Sequence, residues 1–333
     1  MKKTLLFQPE MESRVMSNNP VIVTAGEILV EFVSHRQNCG LARVGEYSGP
    51  YPSGAPAIFL DQAARMGAAT VMIGGVGNDG FGRCVLDRLE ANGVGTSGVT
   101  VNDGMPTGVA FVSYYSDGNR DFIHHMTGNA ADHFTAPAEL FDPANAWLHV
   151  SAASLGNAKM RDVIMDLVHQ VDNAGGKIIC DPNARPALMD DDVVRTALAE
   201  VIERAYCLMP STSDLGFLFP DVDEDAAVER LFAENAKILV IKRGADGITV
   251  VSGDERYDLA GHPVDEIDPT GAGDCFCGTF VSLLAQGASL ETAGIQANAA
   301  GAIAVTRRGP MEGNSSPAEI ADFLEQAKPE TVA

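Results

Sequence analysis

Positive charge is what this chain has least of. Lys and Arg number 23 against 45 Asp and Glu, a formal net charge of −22. That sign argues against nucleic acid or an anionic membrane as a partner, because phosphate-binding surfaces usually carry the opposite charge. Long apolar runs are also missing. None reaches about 18 residues, so no membrane span is expected. The six cysteines form no CxxC pair and no Cys/His grouping at zinc spacing. Free thiols of a cytoplasmic protein are the plain expectation. No GxxxxGK[ST] segment occurs, which excludes a Walker-type ATPase, and there is no internal repeat or low-complexity tract. Residues 1–19 read as a loose tail whose apolar piece, Leu5-Leu6-Phe7, is too short for a signal core. What is present is a globular composition, 46% apolar and 20% charged over 333 residues. That length can bury a large core as one α/β domain or as two domains of about 150 residues.

The order of elements is the first positive signal. Residues 21–33 (VIVTAGEILVEFV) read as a strand that turns at Gly26 and resumes. A helical pattern over 57–67, a short buried strand over 69–75 and a helix over 80–93 follow. Strand and helix then alternate through 146–151, 158–174, 177–181, 190–204, 205–209, 224–235 and 237–241. Such alternation predicts a mainly parallel sheet with helices on both faces. Continuous apolar runs such as Ile238-Leu239-Val240-Ile241 are what strands covered on both faces require. Residues 34–52 and 107–126 break the rhythm. The second alternates apolar and polar residues about a turn at 116–119, which is hairpin patterning. Both segments stand outside the main sheet, either as a lid that excludes water from a site or as ordinary edge strands.

Four segments could carry chemistry. Residues 268–280 (DPTGAGDCFCGTF) place Gly271, Ala272 and Gly273 ahead of a helix opened by Asp274. Small residues there leave backbone N–H groups unpaired and unshielded at the positive end of the helix dipole, which suits a phosphate or a developing phosphoryl charge. A carboxylate beside it could take the proton of an attacking hydroxyl. Equally, Asp274 could be an N-cap behind a tight glycine turn. Residues 75–80 (GVGNDG) match GxGxxG between a strand and a helix, the dinucleotide-binding context. The acidic residue expected about 20 positions on is poorly supplied, since Glu90 lies within the helix and Asp103 in a polar turn. Residues 242–247 (KRGADG) could bring Lys242 or Arg243 to a phosphate, or form a solvated turn. Residues 181–186 (DPNARP) end a strand, where ligands bind in open α/β sheets, so Asn183 and Arg185 are candidates. His124 and His125 are adjacent on a strand and face opposite ways, so they do not grip one ion.

Taken together, these segments resemble the ribokinase, or PfkB-type, carbohydrate kinases. DPTGAGD resembles the C-terminal signature of that family. SGAPA at 53–57 with VGNDGFG at 76–82 resembles the N-terminal one, and DPNARPAL at 181–188 resembles a segment of the fructokinase-like and 2-keto-3-deoxygluconate kinase branches. The resemblance spans about residues 20–325 and implies a ribokinase-like three-layer α/β/α domain over 20–328 with a small β-sheet lid. It also implies ATP and Mg²⁺, with a monovalent cation as a further candidate, and a small sugar as acceptor; the exposed edge strands of the lid segments, which seek partners, add the expectation of a homodimer through the lid. By resemblance Asp274 is the catalytic base and Gly271, Ala272 and Gly273 are the anion hole. Glu31, Gly54 and Ala55 meet the sugar, with Arg120, Asn183 and Arg185 as further substrate contacts. Lys242, Gly244, Gly247 and Asn298 lie on the nucleotide side. The family's NxxE, which organises Mg²⁺, stands here as Ser211-Thr212-Ser213-Asp214 and leaves Asp214 as the metal-side carboxylate. Ile58 stands where the family usually has Asn, and Thr279 where it has Ala or Gly.

The expectation is an ATP-dependent kinase of a ketohexose, tagatose or fructose, with 2-keto-3-deoxygluconate as the alternative. A nicotinamide-dependent oxidoreductase built on residues 75–80 and a non-catalytic sugar or nucleotide sensor are the rivals from other classes.

Overall fold

The computed structural model describes residues 19–116, 119–184, 190–234, 236–253 and 255–327. The chain begins β1 (Val21–Ala25), β2 (Leu29–Ser34), β3 (Tyr47–Ser53), α1 (Ala55–Arg65), β4 (Thr70–Gly77), α2 (Gly80–Ala91), β5 (Gly95–Asn102), β6 (Gly108–Tyr114) and β7 (Arg120–His125). It continues β8 (Ala146–Ser151), α3 (Ala158–Ala174), β9 (Lys177–Asp181), α4 (Asp192–Arg204), β10 (Ala205–Leu208), α5 (Thr212–Leu218), α6 (Glu224–Glu234) and β11 (Ile238–Lys242). The last elements are β12 (Ile248–Ser252), β13 (Glu255–Leu259), α7 (Ala272–Ala285), α8 (Leu290–Ala304) and α9 (Pro317–Gln326).

A nine-stranded sheet runs β13-β12-β11-β10-β9-β8-β1-β4-β5. Its strands are parallel from β5 to β11, and only the β11–β12 and β12–β13 pairings are antiparallel. The parallel strands carry apolar side chains on both faces because helices cover both. On one face Leu148, Ile178 and Leu239 pack against Met160, Ile164 and Leu198. On the other, Ile22, Met72 and Val240 pack against Phe59, Phe276 and Phe280. The architecture is therefore three layers, α/β/α, as the alternation predicted.

A separate four-stranded sheet has the order β3-β2-β6-β7. It takes in the two segments that broke the rhythm, and it recruits β2 as well. The reading of 21–33 as one resumed strand is corrected here. Gly26, at φ 156°, divides it into β1, which pairs with β4 and β8, and β2, which pairs with β3 and β6. One short turn thus joins the two sheets. The turn tip at 117–118 lies outside the described residues.

A buried polar knot fastens α1 to α7 and to the segment before α9. Gln62 Nε2 donates to Thr279 Oγ1 at 2.9 Å and to the Ser315 carbonyl at 2.9 Å, and Gln62 Oε1 accepts from the Ser315 amide at 2.8 Å. Thr279 also donates to the Cys275 carbonyl at 3.0 Å. This explains the threonine that departs from the usual small residue: it takes the second N–H of a buried amide whose first goes to the Ser315 carbonyl.

Candidate active site

The carboxyl ends of β9 and β11 open into a cavity of about 1190 Å³, the location expected for ligands in an open α/β sheet. Its walls are built from three regions. The small sheet supplies Leu29, Glu31, Ala110, Arg120, Phe122 and His124. The main-sheet ends supply Asp181, Asn183, Asp214 and Lys242. The start of α7 and the loops beside it supply the remainder.

The start of α7 differs in detail from the expectation. The N-cap is Gly271, in the left-handed region at φ 79°, and no side chain caps the helix. Asp274 lies in the first turn and does not cap it, so the N-cap alternative is corrected. A side chain at 271 would meet the Pro310 carbonyl, since a Cβ there would stand 2.3 Å from that oxygen. Glycine is therefore required by both conformation and space. Gly271→Ala is expected to cost about 1–3 kcal/mol of stability, measured by chemical denaturation; an unchanged midpoint would contradict the fit. Behind the turn, Asp268 is buried. Its Oδ1 accepts from the Thr270 amide at 3.0 Å and its Oδ2 from the Gly309 amide at 2.9 Å.

Lys242 ends β11, and its ammonium donates to Asp181 Oδ2 at 2.7 Å. Both side chains are largely buried. Cys277 from α7 is close by, its Sγ 3.7 Å from Lys242 Nζ and 3.5 Å from Asp181 Oδ2. Burial alone would pull the lysine pKa down. The charge of Asp181, with help from Cys277 and Asp214, outweighs it and holds Lys242 above the usual lysine range. A Cβ at Gly273 would lie 3.6 Å from Lys242 Nζ, so the ammonium stands beside the N-terminal amides of α7. The local motif alone left Lys242 and Arg243 open as phosphate contacts, and the family resemblance pointed to Lys242. The structure separates them, because Arg243 is clamped in a bidentate pair with Glu224 at 2.6 and 2.5 Å.

Asp214 lines the cavity and also closes a capping box at the start of α5. Its Oδ2 accepts from the Ser211 amide at 2.6 Å and the Ser211 hydroxyl at 2.7 Å, and its Oδ1 accepts from the Ala184 amide at 2.6 Å. Burial, followed by the Asp181 charge, raises its pKa against these bonds. Among the described residues no group of three or more His, Cys, Asp or Glu could enclose a metal ion. Two carboxylates at a cavity wall suit instead a hard cation that keeps its waters and is held mainly by phosphate, the habit of Mg²⁺.

Glu31 is buried on β2, and its Oε2 accepts from the Ser53 hydroxyl at 3.4 Å. Gly54 and Ala55 follow at the N-terminus of α1. Gly54 has φ 109°, and a Cβ there would lie 2.3 Å from the Glu27 carbonyl. Arg120 stacks on Phe122, its guanidinium 5.0 Å from the ring centroid. Asn183 sits at φ 36°, a left-handed position asparagine tolerates. Asn298 donates its amide to the Ala260 carbonyl at 2.7 Å, which fixes it beside Gly261 on the cavity wall. Gly244 and Gly247 line the same cavity. Every candidate residue that is described therefore meets at one cavity, while Arg185 lies outside the described residues.

The glycines of 75–80 do not take part. A Cβ at Gly75 would stand 2.1 Å from the Ala130 carbonyl and one at Gly77 2.4 Å from the Met105 carbonyl. Asp79 caps α2 itself, accepting from the Phe81 and Gly82 amides. Those glycines permit close packing, and Asp79 already takes the Phe81 and Gly82 amides that a pyrophosphate would need. The dinucleotide reading is therefore corrected. Sequence reasoning missed Asp181 and Glu27, both on the cavity wall. For Asp181 a signal was available, since it is the first residue of the DPNARP segment at a strand end.

Residues 22–317 match the pfkB family carbohydrate kinase profile, and the chain belongs to that family. It is 31% identical over 319 residues to fructokinase-1 of Oryza sativa subsp. japonica, covering 92% of this chain and 98% of the relative. An E. coli protein provisionally called ribokinase II, solved in complex with ATP and Mg²⁺, is 38% identical with a TM-score of 0.86, covering 92% of this chain and 99% of that one. A fructokinase from Vibrio cholerae O395, at 23% identity and a TM-score of 0.80 over 92% of this chain and 100% of that one, shares the fold. The protein is thus a sugar kinase of ribokinase-like architecture.

Proposed function

We propose that this chain transfers the γ-phosphate of ATP to a hydroxyl of a ketohexose, fructose or tagatose. The observation that carries this reading is the juxtaposition at one cavity of Asp274, the uncapped amides of α7 and the Lys242 ammonium, facing Glu31 and Arg120 on the small sheet. Full-length similarity to fructokinases supports a keto-sugar acceptor.

In this reading Glu31, Gly54 and the small sheet hold the sugar, with Asn183 and Ala55 at its edge. Asp274 accepts the proton of the attacking hydroxyl as its oxygen forms a bond to the γ-phosphorus. The bond from that phosphorus to the bridging oxygen breaks, and ADP leaves. The amides of Gly271, Ala272 and Gly273 with Lys242 stabilise charge on the transferring group. Gly244, Gly247 and Asn298 line the nucleotide end. When bound, Mg²⁺ would neutralise phosphate charge, and Asp214 and Asp181 are the residues that would hold it through water. The small sheet acts as a lid.

The test is a coupled ADP-release assay over a panel of fructose, tagatose and 2-keto-3-deoxygluconate. Turnover of a ketohexose is expected, and ADP release with none of the panel would overturn the acceptor assignment. The guanidinium of Arg120 at the cavity keeps the keto acid as the second reading, since it could pair with a carboxylate. For either acceptor, Arg120→Ala should raise KM for sugar several-fold more than KM for ATP. Equal shifts would remove Arg120 from the sugar contacts.

A further inference from the structure

The most unusual contact between the two sheets' territories joins Tyr114, which is not on the cavity wall, to Asp268 and to Thr270, which is on the wall. Tyr114 is the last residue of β6 in the small sheet. Its phenol donates to Asp268 Oδ1, and its oxygen lies 2.5 Å from Thr270 Oγ1. A phenol has one proton, and a carboxylate oxygen can only accept. The proton therefore goes to Asp268, and the Thr270 hydroxyl donates to Tyr114. Both partners belong to the turn that leads into α7.

Asp268 is the hub of that turn. It holds the Thr270 amide at 3.0 Å and the Gly309 amide at 2.9 Å, and Pro310 next to Gly309 is the residue against which Gly271 abuts. The phenol thus joins a network that sets the position of the amides at 271–273. On its other side, Tyr114 pairs in register with Arg120, and β7 carries Phe122 and His124 into the cavity. One ring connects the strand pair that faces the sugar to the turn that faces the phosphoryl group.

We propose that Tyr114 is a positioning residue: its hydroxyl locks the small sheet to the Asp268–Thr270 turn, so that the sheet and the phosphoryl-cradling amides hold one fixed relative geometry. The inference rests on the kinase reading above for its catalytic consequence, and on geometry alone for the link itself. Positioning errors of about 1 Å at such a site cost up to about 10²-fold in rate. Removal of one oxygen, with the ring retained to fill its space, isolates the effect.

The test is Tyr114→Phe in the full chain. Amide hydrogen exchange without any substrate is expected to rise at least tenfold at Thr270 and Gly309, the two amides that Asp268 accepts. With the sugar identified by the panel, kcat is expected to fall about tenfold while KM for ATP stays within twofold. Thr270→Val, which removes only one of the two bonds, should lose part of that kcat, and the double variant should lose no more than Tyr114→Phe alone, because the phenylalanine already removes both bonds. An unchanged kcat, unchanged exchange at both amides, or multiplicative losses in the double variant would overturn the proposal. A wild-type chain that phosphorylates no sugar would instead overturn the kinase reading, and the exchange comparison alone would then decide whether the link exists.

Discussion

Asp274→Asn is expected to lower kcat by about 10²–10⁴-fold and to leave nucleotide and sugar binding nearly intact. The argument starts from α7. No side chain caps that helix and its N-cap is a left-handed glycine, so the first-turn amides are directed by backbone shape alone. Asp274 stands within that turn, half-buried at the cavity wall. The amide of asparagine keeps the size and much of the hydrogen bonding of the carboxylate but cannot accept a proton at neutral pH. Only the step that needs a base should suffer. Calorimetric binding of ATP and sugar together with steady-state turnover would check this. A folded variant with wild-type kcat would remove Asp274 from the role of base.

Lys242→Met should produce the second large effect, in stability and activity together. It leaves Asp181 buried without its cation. Breaking a buried pair by removing one partner costs about 3–5 kcal/mol, because the remaining charge has neither water nor counterion. It also removes the ammonium that stands beside Gly273, and loss of one such stabilising group costs about 10²-fold or more in kcat. The two effects can be separated by adding Asp181→Asn. The double variant should recover most of the lost stability in urea unfolding, since no charge is left stranded, and should remain slow. Recovery of turnover along with stability would show that Lys242 serves the fold alone.

Much of this molecule could be read in advance because its strands advertise themselves. The run Ile238–Ile241 is apolar at every position since helices cover both faces of the parallel sheet, and parallel pairing follows from alternation with helices. The allocation of strands between sheets was less legible. Nothing in the pattern of 21–33 says that the residues before and after Gly26 pair with different partners; the sharp turn at that glycine decides it. The same limit explains the site. Small residues before a helix marked 271–273, but whether Asp274 caps the helix depends on where the helix starts, and boundaries depend on backbone geometry. GVGNDG carried a misleading signal because glycines that admit a pyrophosphate and glycines that admit a neighbouring strand or loop are the same residue type. The residue types alone could not separate Lys242 from Arg243; the physical reason, Glu224 nineteen residues earlier holding the arginine, is visible only in the fold. Long-range partners of this kind, and the Tyr114 contact across 154 positions, leave no local trace.

The knot of Gln62, Thr279 and Ser315 has a practical corollary for anyone handling this protein. The segment carrying Ser315 comes late in the chain, just before α9, yet it plugs an amide that sits beneath the helix bearing Asp274. Truncation upstream of that segment would strip the lid from a polar well under the reactive end of the molecule. Purification tags and fusion partners therefore belong beyond Gln326, where α9 has already closed the seam.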